Sequence, residues 1–285
     1  MTAKSLRLPL AGLLLSTLAA CGTDPTPTPG PGEPGDTSGV AAEPGPEVAP
    51  PVANDAPAPK DERLGLAFTA LAEGRFAACR ELSGAVLVDH PGHPCAHFLM
   101  GMGLHKAKRY ADARPHLEAA RDATTEFAGA EAVPYYLGWC LYYLGDHKAA
   151  RASFEAHLAT AEEGDSHFGL GVIAIELGEL GAARTSLERA LVIFEARVAS
   201  GNLGAGMDLA KTHARLADVA LGEDDDEAAR THVLAALGIN PDQPAVWFKL
   251  YQLALSAGDE AEARRALGEY EARKTRAEAG MAMDR

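Results

Sequence analysis

Internal repetition constrains this chain more than any other feature. Residues 137–158, LGWCLYYLGDHKAARASFEAHL, read as two short helices around a Leu-Gly-Asp turn. The first carries a Leu-Gly pair, Leu137-Gly138, and ends at Gly145; the second carries Ala150, Phe154 and Leu158 at helical spacing. These landmarks recur along the chain. The large-small pair returns as Leu66-Ala67, Met100-Gly101, Leu170-Gly171 and Leu216-Ala217, with a degenerate copy at Leu250-Tyr251. A turn residue follows each pair, at Gly74, Lys108, Gly145, Gly178, Asp224 and Gly258. Then comes a small residue: Cys79, Ala113, Ala150, Ala183, Ala229 and Ala263. The next landmark is large, at Leu117, Phe154, Leu187, Val233 and Leu267, with Ser83 the weak member. The turns recur at a nearly fixed interval, stretched once, between Gly178 and Asp224. An interval of helix-hairpin length marks a stacked array, because one helix pair cannot bury its own apolar stripe and must pack on its neighbours.

These columns resemble the tetratricopeptide repeat. The resemblance implies an all-α fold, a right-handed superhelical solenoid of about six helix-turn-helix repeats over residues 61–277. The repeats run at about 60–93, 94–127, 131–163, 164–197, 210–243 and 244–277, with residues 278–285 left as a flexible tail. Pro91 and Pro241 close their repeats where the family expects proline. Pro115 conflicts with its helix and is expected to bend it. In the longest gap, residues 191–200 extend a helix and residues 201–206, GNLGAG, form a loop, readable as a hinge or as a tolerated insertion.

Residues 1–60 differ in kind. Lys4 and Arg7, the apolar run 8–18 and the small Ala19-Ala20 have the order of a secretory signal. Leu18-Ala19-Ala20-Cys21 resembles the lipobox of bacterial lipoproteins. That resemblance implies a signal peptide over residues 1–20, lipidation of Cys21 and anchoring to a membrane. The alternative is an ordinary signal cleaved near the same alanines, with Cys21 unmodified. Gly22, where an Asp would favour the inner membrane in the enterobacterial rule, points to the outer membrane, periplasmic face, of a bacterial envelope. The stretch 23–60 holds 11 of the 18 prolines and almost nothing large and apolar. Such a segment cannot offset its ordering entropy, so residues 21–60 are expected to act as an extended tether.

Chemistry is sparse. No nucleophile elbow, phosphate loop, His-Glu-x-x-His or Cys-x-x-Cys occurs, so the sequence predicts a non-enzymatic protein with no catalytic residues and no cofactor. Cys79, Cys95 and Cys140 read as buried free thiols. His90, His93, His97 and His105 form the only metal-like cluster, but no Cys or acid completes a set; solvated turn histidines and helix-end packing are the simpler reading. The acidic run 223–227, EDDDE, lacks the ligand order of a calcium loop and reads as a capped turn. Loss of Lys4 and Arg7 would leave 24 basic against 40 acidic residues, net −16. That charge and the lack of a basic stripe argue against nucleic acid.

What remains is a surface. In tetratricopeptide arrays the first helices of successive repeats line a concave groove that takes a peptide or a partner helix. Here that face is expected to offer Phe98, Met102 and His105, then Tyr135, Trp139, Tyr142 and Tyr143, then Phe168. Aromatic and Met residues dominate binding hot spots. Some of them, Tyr136 and Tyr143 especially, can instead pack between repeats; exposure is favoured for Trp139 and Tyr142 because Leu137 and Leu141 already supply a core stripe. The expected role is a membrane-anchored adaptor or assembly factor for an envelope complex. Lipoproteins of similar length and repeat number include the pilotins that help type IV pilus secretins assemble, a resemblance in architecture alone. The alternatives are a regulatory subunit of a cell-wall enzyme and a small-ligand or metal-binding lipoprotein using residues 90–105.

Overall fold

A computed structural model describes residues 60–202 and 204–283. The signal, Cys21 and nearly all of the tether lie outside the described residues. Twelve α-helices and one 3-10 turn account for the regular structure among the described residues, with no strand. The chain divides into two compact units at Ala161 and Glu162.

In the first unit, α1 (Glu62–Ala72) pairs with α2 (Phe76–Asp89), α3 (Pro94–Lys106) with α4 (Tyr110–Arg121), and α5 (Val133–Tyr143) with α6 (His147–Leu158). Each hairpin stacks on the next through α2 against α3 and α4 against α5. First helices also meet first helices, α1 with α3 and α3 with α5. In the second unit, α7 (Gly164–Glu176) pairs with α8 (Leu180–Ala199), α9 (Ala205–Gly222) with α10 (Asp226–Ile239), and α11 (Pro244–Ser256) with α12 (Glu260–Met283). Its stacking repeats the pattern through α8 against α9 and α10 against α11. No described helix is long and apolar enough to cross a membrane.

The repeat columns turn out to be contact pairs. A Cβ on Gly138 would sit 2.9 Å from the ring of Phe154, so the α5–α6 approach requires glycine there. Gly101 faces Leu117 and Gly171 faces Leu187 in the same way. The small residues Cys79, Ala113, Ala150, Ala183 and Ala229 are all fully buried. All six turn residues adopt positive φ, from 57° at Lys108 and 58° at Asp224 to 80° at Gly145. Four of them are glycine, which enters that region at no steric cost.

α4 keeps Pro115 inside one helix, as expected. Two local features depart from expectation. α9 begins at Ala205, so the loop after the long α8 is shorter than 201–206. α12 runs to Met283, through most of the segment expected as a tail.

Candidate functional site

The most distinctive side chains of the first unit surround α5. Its sequence, VPYYLGWCLYY, places Leu137 and Leu141 in the core and rings to either side of them. Tyr143 stacks on Tyr110 of α4, with centroids 4.3 Å apart and planes 15° from parallel. Trp139 stands edge-on to Tyr142 at 5.6 Å and to Phe154 of α6 at 5.2 Å. Tyr135 lies 5.7 Å from the ring of His157 and 6.3 Å from Phe154. On the other side Tyr136 meets His105 at 5.4 Å and Phe98 at 6.2 Å, and Phe98 meets Phe127 at 6.0 Å. Edge-to-face and offset pairs of this kind each add about 0.5–1.5 kcal/mol beyond simple burial. The result is one continuous aromatic bed, fixed on both sides by neighbouring helices.

Exposure divides its members differently from the sequence expectation. Phe98 and Met102 are 2% exposed, His105 5% and Trp139 9%. They are therefore bed rather than surface. Trp139 is enclosed because Phe154 and Tyr143 approach it from two sides, and His105 because Tyr110 and Tyr136 do. Tyr135, Tyr142 and Tyr143 are half-buried and present the edge of the bed. Tyr136 is buried, in the packing role open to it. Phe168 belongs to α7 of the second unit and is 8% exposed there. Sequence reasoning misses Tyr110 and Phe127 as members. Tyr110 carries a signal that could have found it, since the start of one repeat's second helix faces the end of the next repeat's first.

The histidines of residues 90–105 do not converge. His90 is exposed, and His93 caps α3 by accepting from the Ala96 N–H at 3.4 Å. His97 turns to His116 at 2.9 Å, and His105 joins the aromatic bed. Among the described residues no three His, Cys, Asp or Glu side chains gather to hold a metal. Burial raises the Cys79 and Cys95 thiols to about 11 and Cys140 to about 12, so at neutral pH they are poor nucleophiles.

The second unit carries charge where the first carries rings. Asp218 of α9 accepts from Lys249 of α11 at 2.7 Å and from Arg215 at 3.1 Å. Lys249 also donates to the Ala214 carbonyl at 3.2 Å. The Lys249 and Arg215 side chains are only 13% exposed, and burial lowers the pKa of Lys249. On the same helix Asp208 pairs with Lys211 at 3.3 Å, and burial raises its carboxyl pKa. Further back, Arg197 of α8 holds Asp165 at 3.0 Å and also Glu163. Lys249 stands one period after Arg215, a relation visible once the repeats are aligned.

Two overlapping segments, residues 106–165 and 135–197, match the tetratricopeptide repeat family. Residues 106–197 carry tetratricopeptide repeats. No curated protein matches the sequence. Among solved structures, the Cut9–Hcn1 hetero-tetramer of the APC/C is similar with a TM-score of 0.61 at 16% identity. That match covers 74% of this chain but only 39% of the other, so the chain spans about two fifths of that relative's length. PilW, described as a widely conserved type IV pilus biogenesis factor, is similar with a TM-score of 0.60 at 15% identity, covering 74% of this chain and 91% of PilW. MamA from Desulfovibrio magneticus RS-1 gives 0.52 at 14% identity, over 64% of this chain and 95% of MamA. At these identities the likeness is one of fold. As a class, tetratricopeptide repeats are scaffolds for protein–protein contact and generally non-enzymatic.

Proposed function

We propose that this protein is a non-enzymatic adaptor or assembly factor that binds a peptide or helix of an envelope protein on the aromatic edge of α5, and that Cys21 anchors it by lipid to the bacterial envelope. The observation that carries the binding reading is the trio Tyr135, Tyr142 and Tyr143, half-buried at the rim of a bed of buried rings. Such an edge offers apolar area and hydroxyls on side chains whose rotamers are already restrained, which lowers the entropy lost on binding. The fold likeness to a pilus biogenesis factor is consistent with an assembly role, the Leu18–Cys21 pattern supports the anchor, and Gly22 supports an outer-membrane address.

A photoreactive residue at Tyr142, with a control at the exposed Arg265, tests the binding face in cells. A discrete crosslinked partner from Tyr142 alone is expected; equal labelling from both positions would sink the assignment. For the anchor, Cys21→Ser should move the protein out of the membrane fraction, and continued membrane association would refute it.

A further inference from the structure

Two histidine pairs occupy the same place in two different repeats. His97 precedes the turn residue Lys108 and His116 follows it, at the same offsets in sequence as His213 and His232 about Asp224. Each pair joins the first helix of a hairpin to the second, α3 to α4 and α9 to α10. The Nδ1 atoms approach to 2.9 Å in the first pair and 3.1 Å in the second. Ring centroids are 5.1 and 5.4 Å apart, longer than the nitrogen separations by the two ring radii. The nitrogens therefore point at each other along the line between the rings. That is the geometry of an N–H···N hydrogen bond, whereas two imidazoles chelating one cation would converge at an angle.

The first pair fixes its own tautomers. His97 Nε2 lies 2.8 Å from the Pro91 carbonyl oxygen, which can only accept, so Nε2 carries the hydrogen. In the sixth repeat the same column holds Trp247, whose Nε1–H donates at 2.8 Å to the carbonyl of Pro241, the proline that closes the repeat before it as Pro91 does for His97. Neutral His97 thus has a bare Nδ1, which accepts from His116 Nδ1–H. One proton between the nitrogens makes this bond. A proton taken up by His116 goes to its bare Nε2 and leaves this bond in place; a further one on His97 Nδ1 sets two N–H groups head-on between two cations in a partly buried contact, which breaks it.

We propose that the two pairs are acid-sensitive clasps: each holds the two helices of its repeat together while a single proton lies between the facing nitrogens, and opens when both of its rings have become cationic. The charges bearing on them are few. His93, from the α2–α3 turn, disfavours a cation at His97, while Asp112 on α4 favours one at His116. On α8, Arg184 opposes and Glu188 favours a charge at His232, and His213 answers chiefly to His232. Burial is the largest cause of lowering for all four, and His116 falls to about 4. The clasps also sit where they matter most. Their repeats are the two whose turns place a non-glycine residue at positive φ, so the hairpin is least favoured by its own turn. The matching columns elsewhere, Arg63 with Leu82, Pro134 with Ser153, His167 with Ser186 and Trp247 with Ala266, hold no such pair.

The sign follows from linkage. A histidine whose folded pKa lies below the unfolded value near 6.5 leaves stability intact above that pH and removes it as pH falls towards the folded value, about 4 for His116. The test compares the full chain with the His116→Gln, His232→Gln double variant. A Gln amide can donate to a neutral His97 or His213 and accept from a protonated one, so it keeps the clasp at either charge. Between pH 7.5 and 5 the wild-type ratio of folded to unfolded protein should drop by about tenfold for each pH unit a pair's protonation is delayed, and the variant should lose less. Nitrogen NMR of the wild-type imidazoles reads the same proposal even if the variant folds poorly: His97 should show a protonated Nε2 and all four rings should resist titration through pH 6. Rings that titrate together at the ordinary histidine value, or equal pH slopes for both proteins, would overturn it.

Discussion

The two units use the same backbone plan to opposite chemical ends. Around α5 the first unit concentrates rings, with Trp139 and Phe154 at 5.2 Å and Tyr110 stacked on Tyr143. Along α9 and α11 the second unit instead places Arg215, Asp218 and Lys249 in mutual contact. The apolar bed gains from every contact it buries and presents a finished edge to solvent. The ionic cluster must first offset the loss of hydration, and it does so internally, with Asp218 held between two cations of its own unit. A partner meeting α5 finds the half-buried rings of Tyr135, Tyr142 and Tyr143 side by side, whereas one meeting α9 and α11 at Asp218 would have to compete with ion pairs already made. This difference is why α5 is the face proposed for binding.

The sharpest way to break the comparison is to empty the aromatic bed. Phe154 is fully buried, so Phe154→Ala should cost about 3–5 kcal/mol in denaturant unfolding and alter Trp139 fluorescence. A loss under about 1 kcal/mol would mean that the bed carries little of the unit's stability. In the ionic unit, Asp218→Ala strands Lys249 and should cost on the order of 1–2 kcal/mol, below the value for a deeply buried pair because water still reaches the cluster. Replacing all three members by apolar residues should recover most of that loss. If the triple variant is worse than the single, the cluster contributes more than its own desolvation.

The turns supply a control common to both units. Lys108→Gly in the first and Asp224→Gly in the second should each raise stability by about 1 kcal/mol, since both sit at positive φ with a side chain. Unequal gains, measured by thermal unfolding, would show that the hairpins bear different strain. The smallest effect expected is the coupling between Tyr110 and Tyr143, about 0.5–1 kcal/mol in a double-mutant cycle with Leu, which removes the ring. Strict additivity would mean that their stacking adds nothing beyond burial.

Much of the fold is legible in the sequence, and the limit has a physical cause. The columns at Gly138, Gly145, Ala150 and Phe154 identify the repeat because each answers to a contact or dihedral inside one hairpin. Exposure is harder to read. Helical periodicity says which way Trp139 points, but not that Phe154 and Tyr143 close over it. His97 and His116 do not read as a pair because the partner lies on the next helix, across a turn. Only alignment of the repeats brings out that His213 and His232 repeat the arrangement. The ionic cluster escapes for the same reason, since Lys249 is on the repeat after Arg215 and Asp218.

Gly138 and Phe154 stand at one fixed offset in sequence, and the other repeats keep it. Gly101 faces Leu117 and Gly171 faces Leu187 across the same interval. Where the small member grows to alanine, its opposite number shrinks, to Val233 for Ala217 and to Ser83 for Ala67, and all four are fully buried. Only the degenerate last repeat, with Tyr251 and Leu267, departs from the exchange. In the other five the two columns move in opposite directions, the opposite member being large only where the small one is glycine. Growth at the small position is therefore tied to shrinkage across the hairpin, and neither helix sets the size of its contact alone.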